Sequence, residues 1–216
     1  LETANTADRL LFAFFLVKQG REAEALGVFD TVLKADPDNA EAWAESAKAH
    51  ARSLDFEKAL AKVDKALAAE PADDLAIELG KLKGRWLSRS GKTEQALAAW
   101  QALTQAHPDD EELREDLVDL QIGESLVEEA LKTQSELVEA TRDPYLKITR
   151  RLRLGDIHLR AGEPEKARDI YRLSLGDAGR DSWLEKEILA QIEQLFRRED
   201  DLAGLKDYYA ELIEAD

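Results

Sequence analysis

KQGREAEALGVFDTVLKADPDN (residues 18–39) and RSLDFEKALAKVDKALAAEPAD (residues 52–73) align without a gap, 34 residues apart. Each reads as a helix of small and apolar residues followed by a proline exit. Pro37 and Pro71 stand where a helix has already ended, because proline lacks the N–H and restricts the residue before it. Asp38 and Asn39 then offer N-cap chemistry to the helix that begins in AEAW.

Self-similarity at this period is the signature of a repeat array. In one register the small residue of each second helix falls at Ala25, Ala59, Ala96, Ala130 and Ala167, with Leu205 in the last copy; the spacings are 34, 37, 34, 37 and 38. This predicts six helix-turn-helix repeats over 6–39, 40–73, 74–110, 111–144, 145–181 and 182–216, forming a single repeat domain over 1–216. Three added residues approximate a turn of roughly 3.6, so the longer copies are expected to carry about one extra helical turn.

These residues resemble the tetratricopeptide repeat family. The second copy supplies Trp43, Ala47, His50, Ala59, Ala66 and Pro71, and the first supplies Ala13, Leu16, Gly20, Ala25, Phe29 and Pro37. The third gives Gly84, Leu87, Gly91, Ala96, Trp100 and Pro108, and the fifth gives Leu154, Gly155, His158, Gly162, Ala167 and Tyr171. The fourth and sixth copies depart from the pattern, the sixth having Glu193 and Asp200 where small or turn residues are usual. The resemblance implies an all-α, right-handed superhelical solenoid whose inner wall is made mainly by the first helix of each repeat. It also implies a protein-binding role.

The physical account is compatible with that family. Small residues let two helices approach closely, and aromatic residues fill the space beside them. No single pair buries its apolar face alone, so neighbours must complete the core.

Composition narrows the function. The formal charge of −16 over 216 residues disfavours nucleic acid, whose phosphates would be repelled. With no cysteine, thiolate zinc sites and a cysteine nucleophile are excluded; the compartment stays open, with a cytoplasmic location as the default. The chain starts at Leu1 and has no Met, which suggests a processed chain or a piece of a longer protein. RLLFAFFLVKQG, residues 9–20, holds eight consecutive apolar residues, well short of the roughly 20 that a membrane span needs. Acidic Glu2 and Asp8 before the run are also wrong for a signal peptide. The run is instead expected to be the first helix, with Leu10, Phe14, Phe15 and Val17 as an apolar contact surface.

Three motifs suggest chemistry and are explained more simply. SRSGKT, residues 88–93, ends like a phosphate loop, but Trp86 stands where the motif needs glycine, and a helix precedes it. Gly91 is expected to be an inter-helix turn. His50 and His158 share one motif position three repeats apart, and His107 precedes Pro108, so no hydrogen-bonded acid–base pair is expected. Residues 109–143 hold 13 acidic and 3 basic side chains. They lack the alternating loop with central glycine that calcium binding needs. No enzyme, cofactor or metal is expected.

Binding is expected along a cationic strip inside this acidic chain: Lys48 and Arg52, then Lys81, Arg85 and Arg89. The last three recur at i, i+4 and i+8, which stacks them on one helix face. Such a strip suits an acidic peptide of a partner protein. Some members of the resembled family clamp a chaperone's terminal carboxylate with Lys, Asn and Arg. Arg85 and Arg89 match that spacing, but Leu10 and Phe14 replace the Lys and Asn, so that specificity does not carry over. Self-association through the apolar first repeat and service as a regulatory part of a larger enzyme are the alternatives. Arg150, Arg151, Arg153 and Arg160 are left either to bind or to pair with acidic neighbours.

Overall fold

The computed structural model describes residues 5–180 and 182–214, and among them every regular element is a helix. The helices come in packed pairs: α1 (Thr6–Lys18) with α2 (Glu22–Ala35), α3 (Ala40–Arg52) with α4 (Phe56–Ala68), and α5 (Asp73–Arg89) with α6 (Thr93–Ala106). Three more pairs follow: α7 (Glu111–Gly123) with α8 (Val127–Ala140), α9 (Pro144–Arg160) with α10 (Pro164–Asp177), and α11 (Trp183–Arg198) with α12 (Leu202–Glu214). This is an all-α helical-repeat solenoid. By their contacts the helices group into two compact units, Leu1–Asp109 and Asp110–Asp216.

Local chemistry starts and stops the helices. Asn39 Oδ1 accepts from Ala42 N at 2.9 Å and caps α3, and Asp143 Oδ1 accepts from Leu146 N at 2.7 Å and caps α9. These side chains satisfy amides that have no partner in the first turn. Between the helices of each pair, one residue adopts the left-handed conformation: Gly20, Leu54, Gly91, Ser125, Gly162 and Asp200, with φ from 56° to 75°. The next amide then closes on a carbonyl five residues back, as Lys92 N does on Leu87 O at 2.9 Å and Asp55 N on His50 O at 3.0 Å. That is the Schellman closure, which satisfies the last carbonyls of the first helix. Gly91 of SRSGKT is one of these turns. The extra turn expected in the longer copies lies in the first helices: α5 and α9 have 17 residues where α1, α3 and α7 have 13.

The core runs along the small-residue register. Ala25, Ala59, Ala96, Ala130 and Ala167 are fully buried, and Leu205 is buried with them. In α1, α3, α5 and α9, the residue sixteen positions after a small one fills the space beside it. Where that residue is Trp100 or Tyr171, the facing position is Gly84 or Gly155, and a Cβ there would lie 2.3 Å from the ring. Where the filler is the smaller Phe29 or Val63, Ala13 or Ala47 suffices, and all four are buried.

Candidate functional site

In the first unit, the first helices α1, α3 and α5 share a wall. Phe14 of α1, Ala44 of α3 and Leu75 of α5 form the apolar part of a depression of about 340 Å³, rimmed by Glu41, Glu45, Lys48, Asp74 and Glu78. Lys48 Nζ lies 2.8 Å from Glu45 Oε1 and 2.7 Å from Glu78 Oε1, carboxylates on two different helices. Burial works against the Lys48 charge, but the hydrogen bonds to Glu45 and Glu78 outweigh it, so its pKa lies above the ordinary lysine value. Lys48, expected to be one of a line of cations, is therefore neutralised within the wall.

The remaining cations of the strip lie nearer the C-terminal ends of α3 and α5. Arg52 Nε is 3.5 Å from Glu22 Oε1, and its side chain is still 42 % exposed. Lys81 is half-buried, whereas Arg85 and Arg89 are exposed. The Arg89 guanidinium sits 4.8 Å over the Phe56 ring, a cation–π contact that holds it without spending its charge. Read along one face, α5 changes sign: Asp74 and Glu78 first, then Lys81, Arg85 and Arg89. Acids near a helix N-terminus and bases near its C-terminus complement the macrodipole, so every first helix built this way contributes one acidic and one basic edge to the wall.

The apolar run of α1 divides between core and surface. Ala13 and Leu16 are buried with Ala25, Phe29 and Ala42, and Leu10, Phe12, Phe14 and Val17 pack partly buried against them. Phe14 tilts against Phe29 with ring centroids 6.1 Å apart. Leu11 and Phe15 are left 66 % and 52 % exposed.

In the second unit three arginines of α9, Arg150, Arg151 and Arg153, are taken up by ion pairs, and Arg160 is exposed. The Arg150 side chain is 6 % exposed and reaches Glu115 Oε1 at 2.6 Å and Glu111 Oε2 at 2.8 Å, both on α7. Its Nη1 also donates to Thr141 Oγ1 at 2.6 Å, while Gln134 Nε2 donates to its carbonyl at 2.9 Å. Burial opposes the Arg150 charge, yet the Glu115 and Glu111 hydrogen bonds keep its pKa above the usual arginine value. Arg153 pairs with Asp119 at 2.6 Å, and Arg151 with Asp177. Glu111, Glu115 and Asp119 of the acidic run of residues 109–143 therefore pair with cations of the next first helix. Sequence reading left these arginines either to bind or to pair, although a signal for Arg150 was present: it stands in register with Ala42, Leu79 and Leu113, all buried.

Two of the histidines have carboxylate neighbours within their own turns. His158 Nδ1 lies 2.7 Å from Glu163 Oε2, and His50 Nδ1 lies 3.9 Å from Asp55 Oδ2, each across its own turn. His107 follows the last residue of α6. Among the described residues no group of three or more His, Asp or Glu side chains is arranged to hold a metal, and no helix is long and apolar enough to cross a membrane.

Comparison with known proteins agrees with the fold. No curated protein matches the chain in sequence. Among solved structures, YrrB, a tetratricopeptide repeat protein with an unusual peptide-binding site, is 20 % identical, with a TM-score of 0.57 over 85 % of this chain and 91 % of its own. MamA from Desulfovibrio magneticus RS-1 is 20 % identical, with a TM-score of 0.59 over 82 % and 97 %. PilF from Pseudomonas aeruginosa is 18 % identical, with a TM-score of 0.55 over 97 % and 91 %. At these identities the likeness is one of fold. The tetratricopeptide repeat model itself matches residues 16–74 and 82–145, more than half of the sequence, and with buried alanines and Schellman turns at the repeat spacing, the chain belongs to the tetratricopeptide repeat family.

Proposed function

We propose that this chain is a protein-interaction module of six repeats, bounded as the sequence register predicts, that holds an extended or helical segment of a partner protein against α1, α3 and α5. Acidic groups of the partner meet Arg52, Lys81, Arg85 and Arg89. The observation that carries this reading is the exposed pair Arg85 and Arg89 on one face of α5, with Arg89 braced by Phe56. Tetratricopeptide repeat proteins generally mediate protein–protein interaction, and YrrB is one with a peptide-binding site. No catalysis is assigned.

The test is affinity capture with the wild-type chain, followed by binding of the recovered partner to Arg85→Glu/Arg89→Glu. Loss of at least tenfold in affinity is expected; unchanged affinity overturns this placement of the groove. A second reading, self-association, rests on the exposure of Leu11 and Phe15; the Phe15 ring stacks beside a partly buried Phe12 at a centroid distance of 6.5 Å. Light scattering across a roughly hundredfold range of concentration, about 2.7 kcal/mol in association free energy, checks it: a concentration-independent monomer removes it.

A further inference from the structure

The depression over Phe14 differs in sign from the arginines beside it. Its apolar floor is Phe14, Ala44 and Leu75, and its rim carries four carboxylates against one ammonium. That ammonium, on Lys48, shows what the rim is built to hold, since oxygens from α3 and α5 converge on it at 2.8 and 2.7 Å. With Lys48 in place, the rim still carries a net charge of −3. Opposite potentials across an interface select partners and fix their register, and an apolar side chain seated in a concave site is the usual anchor of a peptide.

We infer that the Phe14 depression is a subsite for an apolar side chain flanked by lysine or arginine in the partner segment. This rests on the reading that α1, α3 and α5 bind a partner, and it refines the expectation of a wholly acidic ligand. The anchor lies on Phe14 and Leu75, and its flanking cations face Glu41 and Asp74. Acidic residues of the same segment fall at the other edge of the wall, by Arg52, Arg85 and Arg89. Asp74 and Arg89 are 15 residues apart on α5, roughly 22 Å at 1.5 Å per residue, so one segment engages both edges only if its own charges are separated along its length. The selected ligand is bipolar.

Two fluorescein-labelled nonapeptides test the subsite, one with a central Phe between lysines and one with the same Phe between glutamates, by fluorescence anisotropy against the full chain. The lysine-flanked peptide is expected to bind at least tenfold more tightly, and the difference to fall below twofold in Glu41→Gln/Asp74→Asn. Phe14→Ala weakens both peptides. Because Phe14 also supports Phe29, the charge-neutral double variant, which touches only the rim, carries the decision if Phe14→Ala loses its fold. Equal binding of the two peptides, a preference that survives Glu41→Gln/Asp74→Asn, or no binding of either peptide overturns the inference. Arg85→Glu/Arg89→Glu separates the two claims. If it abolishes partner binding while the peptide preference is missing, the arginine edge stands and the subsite falls; the reverse result removes the arginine edge alone.

Discussion

Leu54 occupies a turn position filled by glycine in three other repeats, at φ 60° and with its side chain 64 % exposed. Left-handed backbone costs a non-glycine residue about 1–2 kcal/mol, and glycine's greater unfolded-state freedom offsets about 0.5–1 kcal/mol of the relief. Leu54→Gly is therefore expected to stabilise the protein by about 0.5–1 kcal/mol in urea melts. Glycines inside helices divide by what they face. Gly84→Ala drives a methyl into the buried Trp100 ring; overpacking outweighs alanine's helix preference, for a net loss of about 1–2 kcal/mol. Gly27, with open space around it, is the control, and Gly27→Ala should gain up to about 1 kcal/mol. Tyr171 adds a pH dependence. Burial raises its phenol pKa, and the hydrogen bond to Asp156 Oδ1 at 2.7 Å raises it further. The folded state thus keeps a proton that the unfolded chain releases near pH 10; this contribution is complete below pH 10 and is lost as the pH rises toward the folded value. Thermal melts from pH 8 to 11 should show a shallower alkaline decline in Tyr171→Phe than in wild type. In sequence, Gly20, Gly91 and Gly162 announce their turns, because glycine favours that backbone. Leu54, Ser125 and Asp200 do not, since repeat spacing alone imposes the conformation on them.

Among the elements, α9 sets a charge at a core register. Deleting the side chain in Arg150→Ala strands Glu111 and Glu115 near each other and empties a buried position, at an expected cost of about 2–4 kcal/mol. Arg150→Leu leaves the same carboxylates unpaired but should cost less, because leucine fills this register at Leu79 and Leu113 and avoids the cavity that alanine opens. Chemical denaturation of the two variants checks the order; equal losses would show that charge rather than volume matters there. Helix identity was legible because apolar spacing and proline exits act within a few residues of one another. Ion pairing was not. Arg150 meets carboxylates 35 and 39 residues away, and Lys48 takes Glu78 from the next first helix, so each outcome depends on how neighbouring repeats are set together. The strip of cations was therefore readable as a line of residues, whereas the acidic rim that takes up Lys48 became visible only when α3 and α5 stood side by side.

At the scale of the molecule, charge is divided unequally: residues 1–108 net −3 and residues 109–216 net −13. The first unit has its own buried core around Ala13, Leu16, Phe29 and Val32, continued by Ala47, Ala59 and Val63. Residues 1–109 expressed alone are expected to give a cooperative helical melt by circular dichroism, because in repeat arrays stability comes from nearest neighbours; a non-cooperative trace would refute this. The turns carry a longer rhythm than the repeat itself. Gly20, Gly91 and Gly162 are 71 residues apart, as are Leu54 and Ser125, Gly84 and Gly155, and Trp100 and Tyr171. Each glycine and its ring lie within one helix pair, Gly84 with Trp100 in α5 and α6 and Gly155 with Tyr171 in α9 and α10, so a whole repeat can be exchanged with its packing intact, whereas exchange of a single helix sets a Trp or Tyr ring opposite a methyl group.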